Sequence, residues 1–291
     1  MKLVTFTHGG TSRVGTVVGE EVVDVTAQGT ALPHDMLAFL TQGQQAMAQA
    51  RDVSASGKHR LALADVTLEA PIQRPPKILA VGLNYHDHVQ ETGLPMPKVP
   101  MIFNKQSTAA SGPGAAIYRP KDSDDLDYEG ELGIVIGKRC RRVPQDKAVS
   151  VIAGYTIVND VSVRDWQMRS ATTTMGKSWD THCPFGPYIV TTDEVTDPHR
   201  LDLKTWVNGE LRQNSNTKHL IFNCFAIIEH LSTAFTLEPG DVIATGTPSG
   251  VILGMNPKVW LKPGDVVRIA IDQLGVLENP VVAEPDSTVQ F

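Results

Sequence analysis

Tyr128-Glu129-Gly130-Glu131-Leu132-Gly133-Ile134-Val135-Ile136 carries two acids straight into an apolar, β-branched stretch. Read as a strand over 131–136, it alternates its side chains. Glu129 and Glu131 therefore share one face, while Tyr128, Leu132, Ile134 and Ile136 take other surroundings. Two neighbouring carboxylates repel unless a cation or a proton lies between them. A solvated edge strand also presents such an E-x-E pair. Here, however, the acids stand at the mouth of a core-like run. A third acid, Asp160, closes another β-branched run, Tyr155-Thr156-Ile157-Val158-Asn159-Asp160. Three carboxylates without a Cys or His set make an oxygen-rich site for a hard divalent cation: Mg²⁺, with Mn²⁺ or Ca²⁺ as alternatives.

Working outward, strand-like segments recur at 78–82, 154–159, 187–191, 203–207, 242–245 and 266–271, with turns at Asn208-Gly209, Pro239-Gly240 and Pro263-Gly264. Toward the amino terminus, 1–6 reads as a strand, and 14–18 with 21–25 as a hairpin around Gly19-Glu20. Helices are few: one within 34–50 that Gly43 weakens, one at 162–171, and one at 222–236 with Phe225, Ile228, Leu231 and Phe235 on one face. This density of strands, without regular βα alternation, predicts an α+β, β-rich fold and argues against a (β/α)₈ barrel. Gln73-Arg74-Pro75-Pro76-Lys77 stops regular structure on both sides. It divides the chain into a small amino-terminal domain, 1–72, and a larger domain, 73–291. The echo of Leu237-Glu238-Pro239-Gly240-Asp241-Val242 in Leu261-Lys262-Pro263-Gly264-Asp265-Val266 reads as one turn chemistry used twice.

Bulk properties narrow the function classes. The 291 residues are ample for a sizeable core. A net charge of −6 and a pI near 5.8 argue against nucleic acid as a partner, because phosphate binding needs excess Lys and Arg. No apolar run approaches a membrane span, and the first ten residues lack a signal-peptide core. Cys140, Cys183 and Cys224 are far apart and odd in number, which fits a reducing compartment and a cytoplasmic protein.

A second signal is Asn84-Tyr85-His86-Asp87-His88-Val89-Gln90-Glu91. If 86–91 is helical, His88 and Glu91 are i, i+3 neighbours, and the carboxylate orients the imidazole and raises its basicity. His86-x-His88 also resembles the zinc pair of amidohydrolases, but that fold needs βα units. A plain surface turn is the bland alternative. The Pro-rich loop 93–100 that follows has the character of a lid. A third element, Thr245-Gly246-Thr247-Pro248-Ser249-Gly250-Val251, offers backbone N–H groups and hydroxyls to a carboxylate, although an ordinary loop reads the same way. Lys177, and Arg164 near Gln167, are the candidate partners for an anionic substrate.

Together these motifs closely resemble the fumarylacetoacetate hydrolase family over roughly 75–280. They are N-Y-x-x-H-x-x-E at 84–91, E-x-E-L at 129–132, V-x-D-V-S-x-R-D-W-Q at 158–167, G-K-x-x-D at 176–180, V-N-G-E at 207–210 and T-G-T-P-x-G-V at 245–251. The resemblance implies a β-roll that forms a homodimer, with metal ligands at Glu129, Glu131 and Asp160 and a catalytic pair at His88 and Glu91. It also implies substrate contacts at Lys177, Gln167 and Thr247. Phe103-Asn104-Lys105-Gln106 departs from the family's F-x-K-P by lacking the proline.

The implied chemistry is that of a small 2-oxo acid chelating the metal. Its leading form is hydrolysis of an acylpyruvate or related 2,4-diketo acid, with water activated by His88. Oxaloacetate-type decarboxylation and keto–enol isomerisation use the same metal–enolate site. Two readings of other classes are a non-catalytic 2-oxo acid binding protein and a protein whose carboxylates hold only a stabilising ion.

Overall fold

The computed structural model describes residues 1–288. Its largest sheet runs through the strands Arg60–Ala62, Glu21–Asp24, Thr11–Val18, Lys2–His8, Cys183–Thr191, Ile152–Asn159, Gly130–Ile136, Val242–Ala244, Ile78–Gly82 and Met101–Lys105. Neighbours are antiparallel except Val242–Ala244 beside Ile78–Gly82. A five-stranded sheet runs Glu210–Asn216, Asp202–Val207, Val266–Ile271, Gly275–Ala283 and Ile117–Arg119. The fold is therefore α+β and β-rich, with a small amino-terminal α+β portion, and no helix among the described residues is long and apolar enough to cross a membrane.

The Gly130–Ile136 strand lies inside the sheet, between Ile152–Asn159 and Val242–Ala244, and both of its faces are apolar past the acids. Leu132, Ile134 and Ile136 enter one core cluster and Val135 enters the other. Fully burying each such side chain stabilises by about 1.5–3 kcal/mol. The amino-terminal strands extend this same sheet: Lys2 pairs with Val190, and Leu3 with Ile189. Leu3, Phe39 and Met36 share a core with Val135, Val158 and Phe185. One sheet and one core thus run across Pro75-Pro76.

Helices depart from the sequence reading at their ends. The stretch 34–50 is two helices, Met36–Thr41 and Gln44–Ala55, because Gly43 adopts a φ of +61° that stops the first. The helix expected at 162–171 shrinks to Arg164–Gln167, since Ser162–Val163 is taken up by pairing with Leu126–Asp127. Cys224–Ala234 is capped by Asn223, whose side chain accepts from the Phe225 and Ala226 N–H groups. It buries Ile228 and Leu231 but leaves Phe225 and Phe235 only partly covered. The two Pro-Gly-Asp turns share one chemistry: Glu238 N donates to Asp241 Oδ2 and Lys262 N to Asp265 Oδ2, each at 2.8 Å.

Candidate metal centre and active site

Strand register builds the carboxylate cluster. Gly130 pairs with Asn159 and Glu131 with Val158, so Asp160 falls opposite Glu129, and its N–H donates to the Glu129 carbonyl at 2.9 Å. Glu129, Glu131 and Asp160 are all buried, with ligand oxygens within 4.8 Å of one another. These hard oxygen donors, gathered out of water, fit a divalent cation. The strain between them supports that fit. Burial, then Asp160 and Glu129, push the Glu131 carboxyl well above the ordinary range. Burial also works to raise Glu129, but Lys177 and Arg164 outweigh it and hold that carboxyl at about 2. The three residues form a divalent-metal site.

Three buried cations surround the cluster. Lys177 Nζ donates to Glu129 Oε2 at 2.8 Å and to Asp160 Oδ2 at 2.9 Å. Lys105 Nζ donates to Asp160 Oδ1 at 2.6 Å and to the Val161 carbonyl at 3.0 Å. Arg164 Nη2 lies 2.8 Å from Glu129 Oε1 and 2.7 Å from Asp127 Oδ2, while its Nη1 donates to Gln167 Oε1 at 2.9 Å. A buried charge costs several kcal/mol unless paired. With Asp127 included, four carboxylates face three cations, and the remaining negative charge favours a further cation.

Lys177 reaches the cluster from the short helix Thr174–Lys177, which lies directly on Gln167. A Cβ on Gly176 would come within 2.2 Å of the Gln167 nitrogen, so only glycine permits that approach. Gln106, where the family carries proline, uses its N–H to reach Ser178 Oγ at 3.2 Å, a bond that proline cannot make.

His88 and Glu91 stand on the helix His86–Thr92, with His88 Nδ1 2.9 Å from Glu91 Oε2. Glu91 Oε1 also accepts the Gly250 N–H at 2.8 Å. The imidazole is close enough to Glu129 to help depress its pKa. Asn84 docks this helix on the site: its amide donates to the Thr245 and Phe222 carbonyls at 2.7 and 2.9 Å, and its oxygen accepts the Phe222 N–H at 2.8 Å. The stretch 93–100 has no regular structure and leaves Leu94, Met96 and Val99 exposed.

The 245–251 loop does bind a carboxylate, but it is the chain's own. Gly246, at a φ of +107°, donates its N–H to Glu131 Oε2 at 2.6 Å. Thr247 Oγ1 donates to the Gly130 carbonyl at 3.0 Å and accepts from Gln213 Nε2 at 2.8 Å. The structure thus gathers His88, Glu91, Lys177, Arg164, Gln167, Gly246 and Thr247 around the three carboxylates. Asp127 and Gln213 join them without having been singled out, and Lys105, noted only within the stretch that lacks the family's proline, joins them as a partner of Asp160. Only Asp127 carried a local signal, two residues before Glu129, and the other two arrive through long-range packing.

Residues 77–282 match the family described as fumarylacetoacetate (FAA) hydrolase C-terminal. The chain is 43% identical over 288 residues to the mitochondrial oxaloacetate tautomerase fahd2 of Xenopus laevis, covering 97% of this chain and 90% of that protein. It is similar to the solved fumarylacetoacetate hydrolase of the psychrophile Exiguobacterium antarcticum, with 39% identity and a TM-score of 0.88 over 98% of this chain and 100% of that one. It is also similar to a maleylpyruvate hydrolase from Sphingobium sp. SYK-6 solved with manganese(II) and pyruvate: 35% identity and a TM-score of 0.83, again over 98% and 100% of the two chains.

Proposed function

The chain belongs to the fumarylacetoacetate hydrolase family, and on that premise we propose that it is a divalent-metal-dependent keto–enol tautomerase of oxaloacetate-type 2-oxo acids. One observation carries the choice of reaction: 43% identity, over 97% of the chain, to a protein named oxaloacetate tautomerase. Tautomerisation breaks no carbon–carbon bond. A proton leaves the enol oxygen on C2 and a proton is added at C3, so the protein must supply a proton carrier and positive charge beside the oxygen.

Glu129, Glu131 and Asp160 would hold a divalent cation, which we assign as Mg²⁺ and which would supply Lewis-acid chemistry to a bound 2-oxo acid. His88 is the proton carrier in this reading. Its Nδ1 is bonded to Glu91, which fixes the ring and leaves Nε2 to exchange the proton at C3. Glu91, pinned by the Gly250 N–H, keeps that orientation. Lys177 and Arg164 supply fixed positive charge to the anionic substrate from positions already held by buried carboxylates. The amide of Gln167 completes the substrate contacts. Gly246 and Thr247 act through the strand, holding Glu131 and Gly130 in place. A homodimer, as the family resemblance implies, is part of the same proposal.

Hydrolysis of an acylpyruvate, which the sequence favours, keeps two supporting observations: the likenesses to a maleylpyruvate hydrolase and to a fumarylacetoacetate hydrolase. The same His–Glu pair is suited to activating water. The two readings part in a single assay. Enol oxaloacetate is followed by loss of its enol absorbance, and acylpyruvate by pyruvate release, each with Mg²⁺ and after chelation. Metal-dependent ketonisation far faster than acylpyruvate cleavage is expected. No acceleration over buffer would overturn the tautomerase reading, and faster acylpyruvate cleavage would establish the hydrolase.

A further inference from the structure

Asp127 is fully buried two residues before Glu129, and no step above uses it. Its carboxylate joins two parts of the site. Oδ1 accepts the Ile252 N–H at 2.9 Å, and Oδ2 accepts the Leu253 N–H at 3.0 Å, so it seats the turn Ile252–Gly254. Oδ2 also accepts Arg164 Nε at 2.8 Å, on the guanidinium whose Nη2 lies 2.8 Å from Glu129. The turn in its own right sets Glu91. Just before it, Gly250 donates to Glu91 Oε1, while Tyr128 OH donates to the Gly250 carbonyl at 2.7 Å. Within it, Gly254 lies so close that an added Cβ would come 2.3 Å from Glu91 Cδ.

We infer that Asp127 is a positioning residue that holds the Glu91 carboxylate and the Glu129 carboxylate in register, through the 250–254 turn on one side and Arg164 on the other. This rests on the reading of His88 and Glu91 as the proton-handling pair. The plainer role for a buried acid beside Arg164 is to neutralise it and so stabilise the fold. That role moves the melting temperature but gives no specific coupling to Glu91.

Three variants test the inference: Asp127→Asn, Glu91→Gln and Gly254→Ala, with the double variant D127N/E91Q. The readouts are kcat and KM for ketonisation of enol oxaloacetate, and Mn²⁺ titration without substrate. D127N keeps the shape and loses the charge. It is expected to lower kcat about 10–10²-fold with KM changed little, the scale of an ångström of misplacement. It is also expected to weaken Mn²⁺ binding through the loosened Arg164–Glu129 contact. At saturating Mg²⁺, which removes the loss in metal binding from the comparison, the double variant is expected to have a kcat no lower than that of E91Q alone, because coupled residues are not additive. G254A pushes the flexible end of Glu91 without touching Asp127, so it should lower kcat and leave Mn²⁺ affinity unchanged. It serves as the test should D127N fail to fold. Losses that multiply in the double variant, an unchanged kcat in folded D127N, or full activity in G254A would each overturn the inference. An E91Q variant of full activity would instead sink the proton-transfer reading. In that case an unchanged Mn²⁺ Kd in D127N would still overturn the role of Asp127.

Discussion

Lys177 donates to Asp160 Oδ2 at 2.9 Å, on the carboxylate oxygen opposite the one that Lys105 occupies at 2.6 Å. The same Lys177 ammonium reaches Glu129, so one side chain bridges two of the three clustered acids. Burial alone lowers a lysine pKa, but here Asp160 and then Glu129 outweigh it and raise the pKa. An ammonium and a divalent cation thus favour the same oxygens in this site.

Lys177→Met is expected to expose that balance. Removing one partner of a buried ion pair costs about 3–5 kcal/mol, because the abandoned charges stay buried. Glu129, held at about 2 against an ordinary 4.5, contributes stability that is complete above the ordinary value and lost as pH falls toward 2. The variant should therefore melt earlier at neutral pH without metal. Saturating Mn²⁺ should recover a larger share of its melting temperature than it adds to the unsubstituted protein. A smaller metal-induced gain in the variant would contradict this account.

Glu131→Gln is expected to act in opposite directions with and without metal. The raised Glu131 carboxyl means that the metal-free fold binds a proton more tightly than the unfolded chain does. Its stability thus rises as pH drops below the folded value toward the ordinary one, and at higher pH the ionised group destabilises. The neutral amide relieves that repulsion and still accepts the Gly246 N–H. Calorimetry should show metal-free E131Q melting no lower than the parent at pH 8. Titration should show Mn²⁺ binding weakened by at least about 10²-fold, beyond what second-sphere changes cost. Retained metal affinity would remove Glu131 from the ligand set.

The carboxylate trio was legible because strand alternation aligns Glu129 with Glu131 on one face, and because Asp160 ends a second β-branched run. Both are local patterns. The contact of Lys105 with Asp160 was not legible: Phe103-Asn104-Lys105-Gln106 stood out only for its missing proline, and the partner lies 55 residues away. Likewise, the pairing of Lys2–His8 with Cys183–Thr191 has no local trace, because sheet order is set by packing between distant runs. The 162–171 helix failed for a related reason: hydrogen bonding of Ser162–Val163 to Leu126–Asp127 overrides the helical preference of its first residues.

Oxalate, a planar mimic of a 2-oxo acid enolate, is expected to stabilise the protein only with metal present. Two of its oxygens need the cation, and three buried carboxylates repel an anion without it. At about a hundred times its Kd, it should add about 2.7 kcal/mol of stability. Thermal melts with oxalate, Mg²⁺, both and neither make the comparison. Equal stabilisation by oxalate after chelation would move the anion site elsewhere.

His88→Ala separates proton transfer from metal binding. The imidazole lies outside the carboxylate trio and is oriented by Glu91 at 2.9 Å, so its loss leaves every proposed metal ligand intact. Mn²⁺ affinity should be unchanged. Ketonisation of enol oxaloacetate should fall by about 10²–10⁴, the usual worth of a positioned acid–base group. Glu91→Gln should fall less, because the imidazole remains and loses only orientation and basicity. Any metal-dependent decarboxylation of oxaloacetate needs no proton carrier for the carbon–carbon bond to break, so it should suffer least. Measuring both reactions for the parent and the two variants at saturating Mg²⁺ gives the contrast. Equal losses in both reactions would assign His88 to substrate binding or closure, and unimpaired ketonisation in H88A would take it out of the mechanism.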